Sequence, residues 1–453
     1  MSRLLLGKGA SPESAPEPTE PTASVSLKSE QDPRLEASGA QRAKGPMRAG
    51  IHPPGIYLFA VSLFLFIDFV RPPVLSSLKL QLIIAVLLPV VVGLGRLRWW
   101  TPLMTFWILI LCLTAIQVPI ASNNYAAYMF TRNVYASAAI SLCLAWILQD
   151  YKSFRFVLVI WLLCLAYVAA YGATHGGHGP SGFTGDENDM ALSCCIALPI
   201  AFFGFERNRG ILRILAGALM ALFPVAIVVS FSRGGFVGLA AVGLFCFYFS
   251  RYKGRNLLLG LVVIAIFFAA APQEYIDEIE SIQNTEQGTA ETRQFLWSAG
   301  YNMWKSHPIL GVGGGGSNFL IGRYQPDGEE YSSKDYTERS WGGSALHSAY
   351  VQLLAEFGLV GVFLYTGMVI LHFKGMSRLR REVSAALPPR HPLVNQVEMY
   401  AGGLSGAMVG FLVPALFLSV VGYPYIWYIS AFGLALDRVM RARLEEEKNE
   451  FAA

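Results

Sequence analysis

The sequence predicts an all-α, polytopic membrane protein of about twelve transmembrane helices, with one large outer loop between spans nine and ten. Three observations carry this reading. First, 54% of its 453 residues are hydrophobic and only 15% are charged, with a mean hydropathy of +0.44. A soluble chain of this length would form about three domains of roughly 150 residues, and about 25% of its residues would be charged. So few charges cannot cover a water-facing surface. Second, the apolar residues come in blocks, such as Leu82 to Val92 and Leu257 to Ala271. Helices of about 20 apolar residues are what a bilayer demands, because backbone polar groups there must be satisfied within the segment. Third, basic residues recur in alternate connections. The net charge of +4 is small and scattered, which argues against a nucleic-acid partner.

Residues 1–50 are a different material, rich in Pro, Ser, Ala, Glu and Gln with almost no aromatics. Such a segment cannot bury enough apolar surface to order itself, which predicts a disordered tail. Met1-Ser-Arg-Leu-Leu-Leu has an apolar stretch too short for a signal peptide, so the tail is read as uncleaved and cytoplasmic.

Spans follow with centres near Ser62, Val86, Leu109, Ile140, Trp161, Ala197, Ala221, Val242, Ile264, Phe363, Met408 and Ser430. Arg96/Arg98, Lys152/Arg155, Arg207/Arg209/Arg213, Arg251/Lys253/Arg255, Lys374/Arg378/Arg380/Arg381 and Arg441/Arg443 fall on one side, with Arg42/Lys44/Arg48 of the tail. The opposite connection from Gly172 to Asp189 has no Lys or Arg. The positive-inside rule then places both termini in the cytoplasm. The predicted organisation is a tail (1–50), spans one to nine (51–271), an outer cap (272–345), spans ten to twelve (346–440) and a cytoplasmic tail (441–453). The cysteines Cys112, Cys143, Cys164, Cys194, Cys195 and Cys246 all lie in apolar segments, which predicts packing roles rather than disulfides or metal ligation.

The outer connection from Pro272 to Ala345 holds eleven Asp/Glu against five Lys/Arg. Loops this long in compact proteins are functional or disordered. Thr292 to Trp304 is helically patterned, with Phe295, Trp297, Tyr301 and Trp304 expected on one side, so the connection is read as an ordered cap.

Three outer features could carry chemistry. The first is Ser230-Phe-Ser-Arg233-Gly-Gly, between spans seven and eight. An arginine costs about 2.5–3.5 kcal/mol at the centre of a membrane helix and less near its end. Beside backbone N–H groups of a helix start it makes a good anion site, with a fork that matches phosphate oxygens. The competing reading is an interfacial anchor. The second is Thr292-Arg293, which alone reads as a solvated charge. Downstream, Gly311-Val-Gly-Gly-Gly-Gly316 resembles a phosphate loop but lacks the following Gly-Lys-Ser/Thr. It is read as a turn that lets backbone approach a ligand or the membrane.

The third feature is Ser344-Ala-Leu-His347-Ser-Ala-Tyr, entering span ten. Ser344 as N-cap would put His347 in the first turn, where the helix N-terminus disfavours imidazolium. A neutral histidine can accept a proton; the alternative is a hydrogen-bonded interfacial residue. Glu356 is nine residues on, about 13 Å along a continuous helix and out of phase, so it should not orient His347. Lys79, at the outer start of span two, could assist anion binding or anchor the helix. His175 and His178 suggest a metal but lack further ligands. Asp186-Glu-Asn-Asp189 could bind a cation or cap span six, and the cap is preferred.

Together, Ser232-Arg-Gly, then Thr292-Arg293…Trp297…Trp304-Lys-Ser-His-Pro-Ile-Leu-Gly-Val-Gly, then His347-Ser-Ala-Tyr-Val-Gln-Leu-Leu-Ala-Glu-Phe-Gly-Leu-Val-Gly361 resemble the O-antigen ligase and polymerase superfamily. The likeness covers roughly residues 227–373. Ahead of it, Gly182-Phe-Thr-Gly-Asp-Glu-Asn-Asp-Met-Ala-Leu is similar to members associated with exosortase systems. The family often has Asn after the histidine, where this chain has Ser348, which keeps a hydrogen-bonding side chain.

The resemblance implies a glycosyltransferase of the bacterial inner membrane, with the large loop in the periplasm. Such enzymes move a glycan from an undecaprenyl-diphosphate carrier to an acceptor, with no nucleotide sugar, cofactor or required metal. Carried over, His347 is the expected base, and Arg233 and Arg293 the expected diphosphate ligands, with Lys79 a further candidate. Lipid A core, a growing glycan chain and a protein hydroxyl compete as acceptors, so ligase, polymerase and protein oligosaccharyltransferase remain open. A transporter or flippase is the rival from another class. Transporters tend to show internal repeats and broken helices meeting at the midplane; no convincing repeat is seen here, and the candidate residues cluster at one face.

Overall fold

A computed structural model describes residues 55–72, 74–75, 78, 80–96, 99–258, 260, 289–326 and 343–452. Among the described residues the secondary structure is helical, with no strand. The helices are α1 (Gly55–Val70), α2 (Leu80–Arg96), α3 (Pro102–Ile120), α4 (Asn124–Ile147), α5 (Tyr151–Thr174), α6 (Glu187–Arg207), α7 (Gly210–Val229), α8 (Arg233–Phe249), α9 (Thr289–Ser306), α10 (Ala349–Ala386), α11 (Pro392–Leu412) and α12 (Tyr425–Ala452). Every predicted centre except Ile264 falls inside one of them. Ile264, like the tail 1–50, lies outside the described residues.

Six helices among the described residues (α3, α5, α6, α7, α10 and the stretch Pro392–Leu416 that begins with α11) are long and apolar enough to cross a membrane; α1, α8 and Leu80–Gly93 of α2 are shorter apolar helices. The chain is thus a multi-pass membrane protein. Helix starts are set by local chemistry. Thr101, Asn123 and Asp150 cap α3, α4 and α5 by accepting backbone N–H groups of Met104, Ala126 and Ser153, the residue types that satisfy orphan donors there.

α6 and α11 form the centre, since 78% of the apolar window of each is buried against 17% for α7. A stripe of small residues makes this possible. A Cβ on Gly406 would stand 2.5 Å from Pro199 Cβ, and one on Gly410 only 2.1 Å from the Cys195 carbonyl oxygen. Without hydrophobic drive between helices in lipid, such close backbone contact supplies the packing.

The basic connections gather at one end. Arg380 pairs with Glu398, which also lies 3.9 Å from Arg207. Arg441 pairs with Glu382 and, at 2.9 Å, with Asp437. Ser250 Oγ donates to Glu206 at 2.6 Å, and the Arg443 guanidinium lies 4.9 Å from the Tyr151 ring. The predicted terminal tail 441–453 is, through Ala452, a continuation of α12.

α10 is 38 residues long and broken at Gly358, where φ is +59° and ψ is −159°. The break frees backbone groups, and the segment from His307 to Gly313 takes them up. Leu359 and Val360 N–H donate to the Pro308 and Ile309 carbonyls at 2.9 and 3.2 Å, and Val312 and Gly313 N–H donate to the Ala355 and Glu356 carbonyls at 2.9 and 3.1 Å. This exchange lets a helix break persist among apolar neighbours. A Cβ at Gly358 would meet Ile309 backbone at 2.5 Å. Gly358→Ala is therefore expected to destabilise the protein by at least the left-handed penalty of about 1–2 kcal/mol. Thermal unfolding in detergent checks this, and an unchanged midpoint contradicts it.

Candidate active site

At the end opposite the basic cluster, the starts of α6 and α8 are bonded to each other, and the start of α10 packs on α9. α8 begins at Arg233. Its cap, Ser232, accepts from Gly235 N–H at 3.0 Å and donates to Asn188 Oδ1 at 2.7 Å. Asn188 lies in the first turn of α6, whose cap Asp186 accepts from Asn188 N–H at 2.8 Å and from its side-chain amide at 3.0 Å. Asp186 is thus the helix cap that the sequence favours. These bonds lock two helix starts together and put Arg233 at the first helical position, half-buried. Phe231, just upstream, has φ +51°.

Arg293 projects from α9, half-buried, with its guanidinium 5.6 Å from the centroid of Phe417. Phe417 also packs against Gly234 at the start of α8. Burial, and then the charge of Arg233, holds Arg293 below the ordinary guanidinium value. Two cations this close repel, and an anion between them would relieve the repulsion with charge-assisted hydrogen bonds.

His347 sits immediately before α10 with φ +49°. The left-handed region is uncommon outside glycine, though histidine visits it more than most, and such residues cluster at functional sites. Desolvation, then the neighbouring Arg293 charge, pushes the imidazole below its ordinary value, while the Asp186 carboxylate opposes them. Its neutral form is therefore favoured near pH 7, and a neutral imidazole can take a proton.

The cap of α10 is not Ser344. Ser348 holds that position, its hydroxyl accepting from Val351 N–H at 3.5 Å, so His347 precedes the helix instead of lying in its first turn. Tertiary contacts keep 344–347 outside the helix: Leu346 is fully buried beside α9 and its carbonyl accepts from Trp297 Nε1 at 3.0 Å. Ser at position 348 is as good an N-cap as Asn would be.

The predicted helix from Thr292 to Trp304 is found within α9, but its aromatic face divides. Phe295 is buried with Leu296, Ala299 and Met303, whereas Tyr301 is 46% exposed. At about 100° per residue, Phe295 lies opposite Trp297, Tyr301 and Trp304. The glycine run packs against α3, α4 and α10, and Gly311 and Gly313 line a cavity there with Gln117 and Pro308. Gly313 turns to Ala121, and Gly314 to Phe130 and Phe357. Glu356, fully buried, organises this turn, accepting from Ser317 Oγ at 2.6 Å and Gln352 Nε2 at 3.2 Å. It belongs to the scaffold and does not orient His347.

Lys79 lies outside the described residues. His175 stacks on Tyr171 with 3.8 Å between centroids, and His178 Nδ1 is 3.5 Å from Glu187. Among the described residues no three His, Cys, Asp or Glu side chains converge. One residue escaped the sequence reading. Arg71, after α1, has φ +49°, and its guanidinium stands 5.2 Å from the centroid of Phe183, in the turn before α6. An arginine at the predicted outer end of a span runs against the positive-inside rule, and that was the available signal.

No curated protein matches the chain. A family model does, and its range contains Arg233, Arg293 and His347, the three residues that this end of the bundle brings together. Residues 217–366 match the model described as O-antigen ligase, and that match supports the O-antigen ligase superfamily.

Proposed function

We propose that this protein is a membrane glycosyltransferase of the O-antigen ligase type. It moves a glycan from undecaprenyl diphosphate to an acceptor at the periplasmic face of the bacterial inner membrane, by inverting, metal-independent transfer. The observation that carries this is the convergence of His347, Arg233 and Arg293 at one end of the bundle, with Arg293 coupled both to Arg233 and to the imidazole. In this reading the chain has twelve spans, cytoplasmic termini and α9 as part of the periplasmic cap.

The acceptor hydroxyl attacks the anomeric carbon as His347 removes its proton. The bond from that carbon to the diphosphate oxygen breaks, and undecaprenyl diphosphate leaves with the electron pair. Arg233 and Arg293 stabilise the growing charge, aided by N–H groups at the start of α8. Lys79 is assigned the same anion by its place in the sequence. Lipid A core, a glycan chain and a protein hydroxyl are the competing acceptors.

The test supplies purified protein in detergent with undecaprenyl-diphosphate-linked radiolabelled glycan and each acceptor in turn. Free undecaprenyl diphosphate is expected in step with label on lipid A core. Label on polymer or protein instead would move the reading to polymerase or protein transferase. Carrier movement across sealed vesicles without carrier cleavage would overturn it in favour of a flippase.

A further inference from the structure

We infer that Trp297 is a positioning residue for His347, holding through one hydrogen bond the backbone from which the imidazole is aimed. The inference rests on the proposed role of His347 as base. Trp297 Nε1 donates to the Leu346 carbonyl at 3.0 Å. That carbonyl belongs to the peptide unit joining Leu346 to His347, the plane from which the φ of His347 is measured. The φ it helps fix is +49°, a conformation that the chain leaves readily unless its surroundings over-determine it. The peptide unit is held from two further sides. The Leu346 side chain is clamped in the cluster of Phe295, Leu296, Ala299 and Met303, and Ser348 starts α10 directly after.

The bond is not a by-product of burying an indole. Trp107, Trp146, Trp161, Trp304 and Trp427 each bury an indole N–H with no partner among the described residues, so packing in this fold does not by itself supply one. Its place on α9 also matters. Arg293 and Trp297 are four residues apart, on one face of the same helix. A single rigid element therefore carries both a cation for the leaving group and the anchor of the base, so the distance between the two roles is set by helix geometry. Two charged groups act on the imidazole in this arrangement, Arg293 from α9 and Asp186 from the cap of α6, while Arg233 at the start of α8 acts on Arg293.

The experiment uses the full-length protein in detergent with the undecaprenyl-diphosphate-linked glycan. Trp297→Phe removes the donor and some volume. Replacing Trp297 with benzothienylalanine, in which sulfur stands for the N–H, removes the donor alone and guards against a folding defect. Both are expected to lower kcat about tenfold, with the donor KM within about twofold and the acid limb of the kcat profile moved up toward an ordinary histidine. In a His347→Ala background the same replacements are expected to change the residual rate less than about twofold, since the two residues act as a unit. Equal losses in both backgrounds, or a raised KM with kcat and pH profile intact, would overturn the inference and leave the proposed function standing. Full activity of His347→Ala alone would overturn both.

Discussion

His347→Ala is expected to lower the rate of glycan transfer by about 10²–10⁴-fold, the usual worth of a positioned general base. Carrier binding should survive, because Arg233 and Arg293 remain. The pH dependence sharpens this. A base must be unprotonated, and His347 is held below the ordinary histidine value of 6.5, first by desolvation and next by Arg293, with Asp186 pulling the other way. The active form therefore predominates at pH 7, where the rate should be near its plateau. It then falls as pH drops through the lowered value. His347→Gln keeps hydrogen-bonding capacity without basicity and should be as slow as His347→Ala across the whole range. Initial rates of carrier release from pH 5 to 8 provide the check. Wild-type rates in the variant, or an acid limb above 6.5 in the wild type, would remove His347 from the chemistry.

How far the molecule can be read from its sequence depends on whether a feature is local. Helix positions were legible because bilayer spans are long apolar runs, and each centre in the described residues falls on a helix. The charge alternation was legible for the same reason, and its basic connections meet at one end through Arg207, Arg380 and Glu398. The start of α10 was not. Ser344 and Ser348 are both competent caps, and only the Leu346 carbonyl bound to Trp297 from a distant helix decides between them. The break at Gly358 was equally hidden, since glycine is common in membrane helices. Its meaning appears only when the Pro308 and Ile309 carbonyls receive the freed N–H groups. Spacing correctly separated Glu356 from His347, yet its partner Ser317 lies in another segment and could not be read from the pattern.

Arg293→Ala is expected to cost about 10²–10³-fold in kcat, the scale for removing one preorganised donor from a developing anion. The carrier diphosphate is already anionic when bound, so part of the loss will appear in KM. The leaving group gains further negative charge as the glycosyl bond breaks, and only that increment acts on kcat. Arg293→Lys keeps the charge but loses the planar fork and its seat over Phe417, so it should fall between wild type and alanine. Removing Arg233 as well should cost less than the product of the single losses, because the two guanidinium groups repel until an anion joins them. Arg293 also links the two halves of the reaction. Its charge depresses the imidazole of His347, so Arg293→Ala should move the acid limb up toward 6.5 while Arg293→Lys leaves it in place. A slow Arg293→Ala enzyme with an unmoved limb would mean that arginine and histidine are too far apart to serve one transition state. A moved limb ties the cation for the leaving group and the base for the acceptor to a single site.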